Sequence, residues 1–277
     1  MLDGVMLLWF ALAGLSVLFV AVDVRHVPAA PVMKWAFVLV TAYTGPIGAF
    51  LYVLGCREPL RRTHERYTAF RWKQTLGSTM HCVAGDGAGI LAGAVAASLL
   101  HLPAAADVAL EYVLGFGFGW TIFQALFMRK MAGGSYVRAL RSTFLPELLS
   151  MNLLMAGMVP LANLARAAWP AGHAPSNPEF WFVMSMALLL GSASAYPVNW
   201  WLVAKGLKHG MMTVRDEPAG EAARHAGTRA RGGDAHGGWA GEATRGEVLA
   251  MTLASFAALG AGVAVAVVFG SLGGGGE

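Results

Sequence analysis

Seven stretches of this chain, at about 5–23, 35–55, 76–100, 108–128, 144–164, 180–203 and 248–270, are each close to 20 apolar residues long. A hydrocarbon core of about 30 Å needs about 20 residues of helix to cross it. Inside that core only helices and closed barrels satisfy their own backbone polar groups. The expected fold is therefore all-α, a polytopic integral membrane helical bundle of about seven transmembrane helices. With 56% of its 277 residues hydrophobic and only 13% charged, the chain is too apolar for an ordinary soluble domain. No Lys or Arg precedes the first stretch and no small-residue cleavage pattern follows it, so it is expected to be a retained helix rather than a signal peptide.

The twenty Lys and Arg residues are unevenly spread. Six lie between stretches two and three (Arg57, Arg61, Arg62, Arg66, Arg71, Lys73), four between four and five (Arg129, Lys130, Arg138, Arg141) and seven between six and seven; the alternate connections hold only Arg25, Lys34 and Arg166. Seventeen against three, under the positive-inside rule, sets the N-terminus in the cytoplasm and the C-terminus outside, with the plasma (inner) membrane as the expected location. That distribution explains the net charge of +4 without a nucleic-acid partner. Cys56 and Cys82 give no disulfide framework.

The expected organisation is an N-terminal transmembrane hairpin over 1–56, a basic amphipathic segment on the cytoplasmic leaflet over 57–75, a four-helix membrane core over 76–204, a disordered cytoplasmic linker over 205–247 and a last helix with its tail over 248–277. Tyr67, Phe70 and Trp72 among arginines suit an interfacial helix. After Val214 large apolar side chains nearly vanish, so the linker cannot bury enough surface to offset chain entropy; His209, His225 and His236 in it read as solvated.

The third stretch, LGSTMHCVAGDGAGILAGAVAASLL, carries His81, Cys82 and Asp86 at membrane depth, where ionisable groups are costly and usually functional. At about 100° per residue, His81, Gly85, Ser78, Gly89, Cys82, Gly93, Asp86 and Thr79 share roughly 160° of one face. Met80, Val83, Ala84, Ile90, Leu91 and Val95 make the other, which is expected to face lipid. Gly85, Gly89 and Gly93 form overlapping small-xxx-small motifs that allow close helix approach.

The fifth stretch, beginning near Thr143 as a plausible N-cap, contains ELLSMNLLMAGMVP. Measured from Glu147, Met158, Met151 and Met155 fall at about 20°, 40° and 80°, so one carboxylate and three thioethers share a stripe. By the 1.5 Å rise these residues, His81, Cys82 and Asp86 occupy one slab of the bilayer, with Ser78, Thr121, Gln124 and Asn199 as polar lining. Thioether, thiolate and imidazole ligands together suit soft or borderline metals of the copper type. Glu111 sits near the outer boundary, where solvation accounts for it, and Asn199 is a candidate partner for the backbone freed by Pro197. The chain lacks GxxxxGK[ST], HExxH, CxxC and GxSxG, which argues against an ATPase, a zincin or a serine hydrolase.

WKQT, MHCVAGDGAGI, SMNLLMAGMVP and AYPVNWWLVAKGLKHGM together resemble the membrane-protein family known as domain of unknown function 4396, over about Arg71 to Met211. The resemblance implies a polytopic helical fold and no established activity. His81 and Cys82 match an HC pair of that family, and Asp86 stands where many of its members carry a second cysteine, which weakens an all-sulfur site. Three functions follow as expectations. The leading one is binding or translocation of a copper-type metal ion through His81, Cys82, Asp86, Glu147, Met151, Met155 and Met158. The others are a scaffold that packs on a membrane-protein partner or a second copy through its glycine faces, and a proton-coupled carrier of a small solute.

Overall fold

The structure is a computed structural model that describes residues 2–57, 64–129, 133–208, 210 and 243–270. Among these the chain is helical without strands. In order, α1 spans Leu2–Asp23, α2 Pro31–Gly55, α3 His64–Thr68, α4 Arg71–Leu99, α5 Ala104–Gly117, α6 Ala125–Met128, α7 Tyr136–Ala168, α8 Pro178–Ala204 and α9 Arg245–Phe269. A π-helical stretch, Phe118–Gln124, joins α5 to α6 into one span. Seven helices among the described residues are long and apolar enough to cross a membrane, as the hydropathy pattern predicts, and the protein is an integral membrane protein.

The central helix is α4, with α2, α5, α7 and α8 packed around it. From Thr75 to Gly87 every residue of α4 is buried. The face expected to meet lipid is therefore internal: Met80, Val83, Ala84 and Ile90 are each at most 3% exposed. The reason is that α2 and α8 cover the apolar side of α4 while α5 covers its glycine side.

The backbone of α4 comes into contact with that of α5 and of the π-helical stretch that continues it. A Cβ at Gly85 would lie 2.9 Å from Gly119 Cα, one at Gly89 2.7 Å from Gly115 Cα, and one at Gly93 2.8 Å from Glu111 Cα. Lipid gives helices no hydrophobic drive to associate, so close backbone packing supplies much of the attraction.

Two sequence boundaries shift. α4 starts at Arg71 rather than Leu76, and α7 starts at Tyr136, capped by Ser135, whose hydroxyl accepts from the Arg138 amide. Thr143 is not the cap; it lies inside α7 and donates back to the Ala139 carbonyl. The span over 104–128 departs from α-geometry where Gly117, Gly119 and Thr121 fall close together, a run of weak helix formers, and Thr121 donates to the Gly117 carbonyl at 2.6 Å.

α2 is broken at Gly45 (φ 58°, ψ −138°), just before Pro46. Only glycine takes that conformation without strain, and the Trp9 ring lies 3.0 Å from where a Cβ would sit. Ser185 of α8 donates to the Tyr43 carbonyl at this break and accepts from Trp9 Nε1, so α1, α2 and α8 are tied together there.

Much of the basic segment and most of the segment expected as a linker, including His209, His225 and His236, lie outside the described residues. Of the former, Tyr67 donates to the Leu54 carbonyl, and the rings of Tyr67, Phe70 and Trp72 surround the Lys73 ammonium.

The backbone contact is directly testable. Gly89→Leu should destabilise the purified protein by about 1–3 kcal/mol, the usual cost of overpacking, read as a lowered thermal unfolding midpoint in detergent. Gly14→Leu, at a glycine with open space around it, should leave the midpoint unchanged.

Candidate functional site

Asp86 of α4 and Glu147 of α7 meet against Gly119 of the π-helical stretch. A Cβ on Gly119 would fall on Asp86 Oδ1 and 2.7 Å from Glu147 Oε1, so the two carboxyl groups share the small space that the missing side chain leaves. Both residues are fully buried, and Asp86 Oδ1, Asp86 Oδ2 and Glu147 Oε1 have no hydrogen-bond partner. Single turns of π-helix recur at functional sites because the extra residue re-aims its neighbours. Here the stretch sets Gly119 against the acids and Gln124 on Cys82, with Gln124 Nε2 donating to the Cys82 sulfur at 2.7 Å.

The remaining Glu147 oxygen, Oε2, accepts from the Cys82 thiol at 3.4 Å and from the Lys208 ammonium at 3.2 Å. Lys208 also donates to Asn199 Oδ1 at 3.0 Å, and Asn199 Nδ2 donates to the Ser150 hydroxyl at 3.0 Å. Lysines near the end of a membrane helix ordinarily snorkel outward to water; Lys208 points inward and is 6% exposed. The chain turns to permit this. Gly206 takes φ 67°, and the Leu207 and Lys208 amides both donate to the Leu202 carbonyl, folding the chain back along α8. The segment expected to leave the membrane at Lys205 thus first delivers a cation to the core.

The structure brings together Cys82, Asp86, Gln124, Glu147 and Asn199. His81 turns aside: its Nε2 lies 3.2 Å from the Phe123 carbonyl oxygen and its ring packs on Phe123 and Phe127. Met151, Met155 and Met158 are completely buried in the apolar core; Met151 Cε packs at Gly115 and the Met158 Cβ side of α7 packs at Gly191. Ser78 is buried with its hydroxyl unpartnered, and Thr121 spends its hydroxyl on its own helix. Among the described residues, no three His, Cys, Asp or Glu side chains form a set able to hold a metal ion. Asn199 serves the lysine and Ser150 rather than the backbone near Pro197.

Sequence reasoning missed Lys208, Ser150 and the role of Gly119. The available signal for Lys208 was the need for a cation opposite two buried acids, with Gly206 as the residue that lets the chain turn back.

A second ionic cluster lies toward the other end of the same helices. Arg166 Nη1 donates to Asp107 Oδ2 at 2.9 Å, and Nη2 faces Glu111 Oε1 at 3.5 Å and Met184 Sδ at 3.3 Å. Glu111 is 2% exposed, which corrects its reading as a solvated residue. The physical cause is Arg166, which reaches from the last turns of α7 to α5.

Truncating Lys208 leaves a buried acid without its cation, and breaking a buried pair costs about 3–5 kcal/mol. Lys208→Met should lower the thermal midpoint sharply, and the double variant Lys208→Met with Glu147→Gln should recover most of the loss.

No curated protein and no solved structure matches the chain. Residues 71–208, from the first residue of α4 to the lysine that faces Glu147, match the family model described as Domain of unknown function (DUF4396), and that segment of the chain resembles this domain.

Proposed function

We propose that the protein is a proton-coupled membrane carrier in which the Asp86–Glu147 pair holds the proton and Lys208 is its fixed counter-ion. The observation that carries this reading is the meeting of two buried carboxyl groups at Gly119 with one ammonium beside them. Two carboxylates in contact do not both hold their charge in a low dielectric. Balance against Lys208 therefore leaves one proton shared by the pair. Loss of that proton leaves an uncompensated charge that hydrocarbon disfavours by several kcal/mol, so proton release is linked to a change of packing. The π-helical wall beside Gly119 and Pro146, next to Glu147, are places where helix packing yields.

Depth supports the same reading. Glu147 lies about 17 Å from the start of α7 and Asp86 about 22 Å from the start of α4 at 1.5 Å per residue, well inside the bilayer. A soft metal ion fits the place poorly, since Lys208 and the Cys82 thiol already occupy Glu147 Oε2, His81 faces a carbonyl, and the thioethers are packed as core. The seventeen-to-three distribution of Lys and Arg supports a cytoplasmic N-terminus in the plasma membrane, with Lys208 entering from the cytoplasmic side.

Infrared spectra recorded across a pH titration of the purified protein should contain a protonated-carboxyl band that is lost in both Asp86→Asn and Glu147→Gln. In proteoliposomes, an interior-negative potential should drive internal acidification at least tenfold faster for the unaltered protein than for Asp86→Asn. A band and an acidification rate indifferent to both substitutions would overturn the proposal.

A further inference from the structure

The Arg166 cluster plays no part in holding the proton at Asp86 and Glu147, yet it repeats the composition of that site, two carboxyl groups and one cation, here between α5 and α7 with Glu111 and Arg166 buried and Asp107 partly exposed. Its geometry is unlike a simple helix lock. Arginine–carboxylate bridges are frequently bidentate to one carboxylate. Here the guanidinium is split between Asp107 and Glu111, while Arg166 Nε and Asp107 Oδ1 are buried and unpartnered. Arg166 itself is only 5% exposed. Glu111 and Arg166 thus lie inside the bundle while the Asp107 side chain, 18% exposed, forms the edge of the cluster toward the helix end.

Glu111, Gly115 and Gly119 recur every four residues on the side of α5 and its π-helical continuation that meets α4, which sets Glu111 about 12 Å along the axis from Gly119. At the intervening Gly115, Ile90 Cγ1 and Met151 Cε each lie 2.7 Å from where a Cβ would be, and both side chains are completely buried. Apolar side chains thus close the direct line between the two ionic clusters. Beside them, at the same level, Tyr112 donates its hydroxyl to Asn152 Oδ1 at 2.6 Å, and Asn152 Nδ2 donates to Ser255 of α9 at 3.0 Å.

Resting on the proton reading above, we propose that Glu111 and Asp107 are the second proton-exchange site of the same path, at the opposite membrane face, and that the Ile90–Met151 contact at Gly115 is the plug separating the two sites. The transfer changes only O–H bonds. A proton held by Glu111, beside the Arg166–Asp107 pair, passes to the Asp86–Glu147 pair once that pair has released its own, and the Glu111 carboxylate left beside Arg166 is reprotonated from its own face. The plug gives a carrier what it needs, because neither acid site then exchanges with both sides of the membrane at once. Tyr112 and Asn152 supply the polar surface beside it.

The test uses full-length protein in proteoliposomes, with an interior-negative potential and an internal pH dye, alongside infrared spectra of the same preparations. Glu111→Gln and Asp107→Asn keep the size of each side chain. Each should lower proton entry at least tenfold while the carboxyl band of Asp86 and Glu147 persists, which a misfolded protein would not show. Met151→Ser, which opens the plug and makes it polar, should raise proton entry at least threefold. Unchanged entry in all three variants, with Asp86→Asn still slow, overturns the second site and leaves the proton reading standing. Indifference to Asp86→Asn as well overturns both.

Discussion

The contact of α4 and α5 through bare backbone is the constraint on which the rest of the core depends. Lipid tails are as apolar as leucine, so these helices gain nothing by hiding greasy side chains from the surroundings. They gain by touching closely over a long seam, and Gly85, Gly89 and Gly93 make the seam possible. The same closeness leaves Asp86 no room on its own side except the space at Gly119, and that is where it meets Glu147. A bulkier α5 would separate the acids as well as the helices.

Charge balance then decides what the interior tolerates. An ion in hydrocarbon is costly unless paired, and each ionic cluster contains a cation brought from some distance along the chain. Lys208 arrives by a turn beyond the end of α8, and Arg166 from the last turns of α7. Arg166 faces two acids and Lys208 faces one of a touching pair, so the bundle holds two places where the number of carboxyl groups exceeds the number of positive charges. Neutrality there depends on protons, and this ties the electrostatics of the fold to the chemistry assigned to it.

The spans were legible in the sequence because apolar length is a strong, local signal, and the glycine face of α4 was legible because its four-residue spacing survives any choice of neighbours. Asp86, Cys82, Glu147, Gln124 and Asn199 were recognisable as polar groups sharing a depth. What the pattern did not carry was azimuth between helices. Helical angles relate residues on one helix only, so they grouped His81 with Asp86 and the methionines with Glu147, although packing sends the imidazole to the Phe123 carbonyl and the thioethers to the core. The apolar side of α4 looked lipid-facing for the same reason, since nothing local distinguishes a neighbouring helix from an acyl chain. Lys208 was hidden because it follows a glycine in a stretch that reads as an exit from the membrane.

The inward course of Lys208 has a mechanical consequence. Its side chain is held by Glu147 and Asn199, and its backbone is pinned to Leu202 through the left-handed turn at Gly206. Tension on the polypeptide just past that turn therefore has an electrostatic lever at its end: drawing the ammonium outward strips the acids of their compensating charge. On the proton reading proposed above, an event at the edge of the bilayer would in this way change the proton affinity of Asp86 and Glu147.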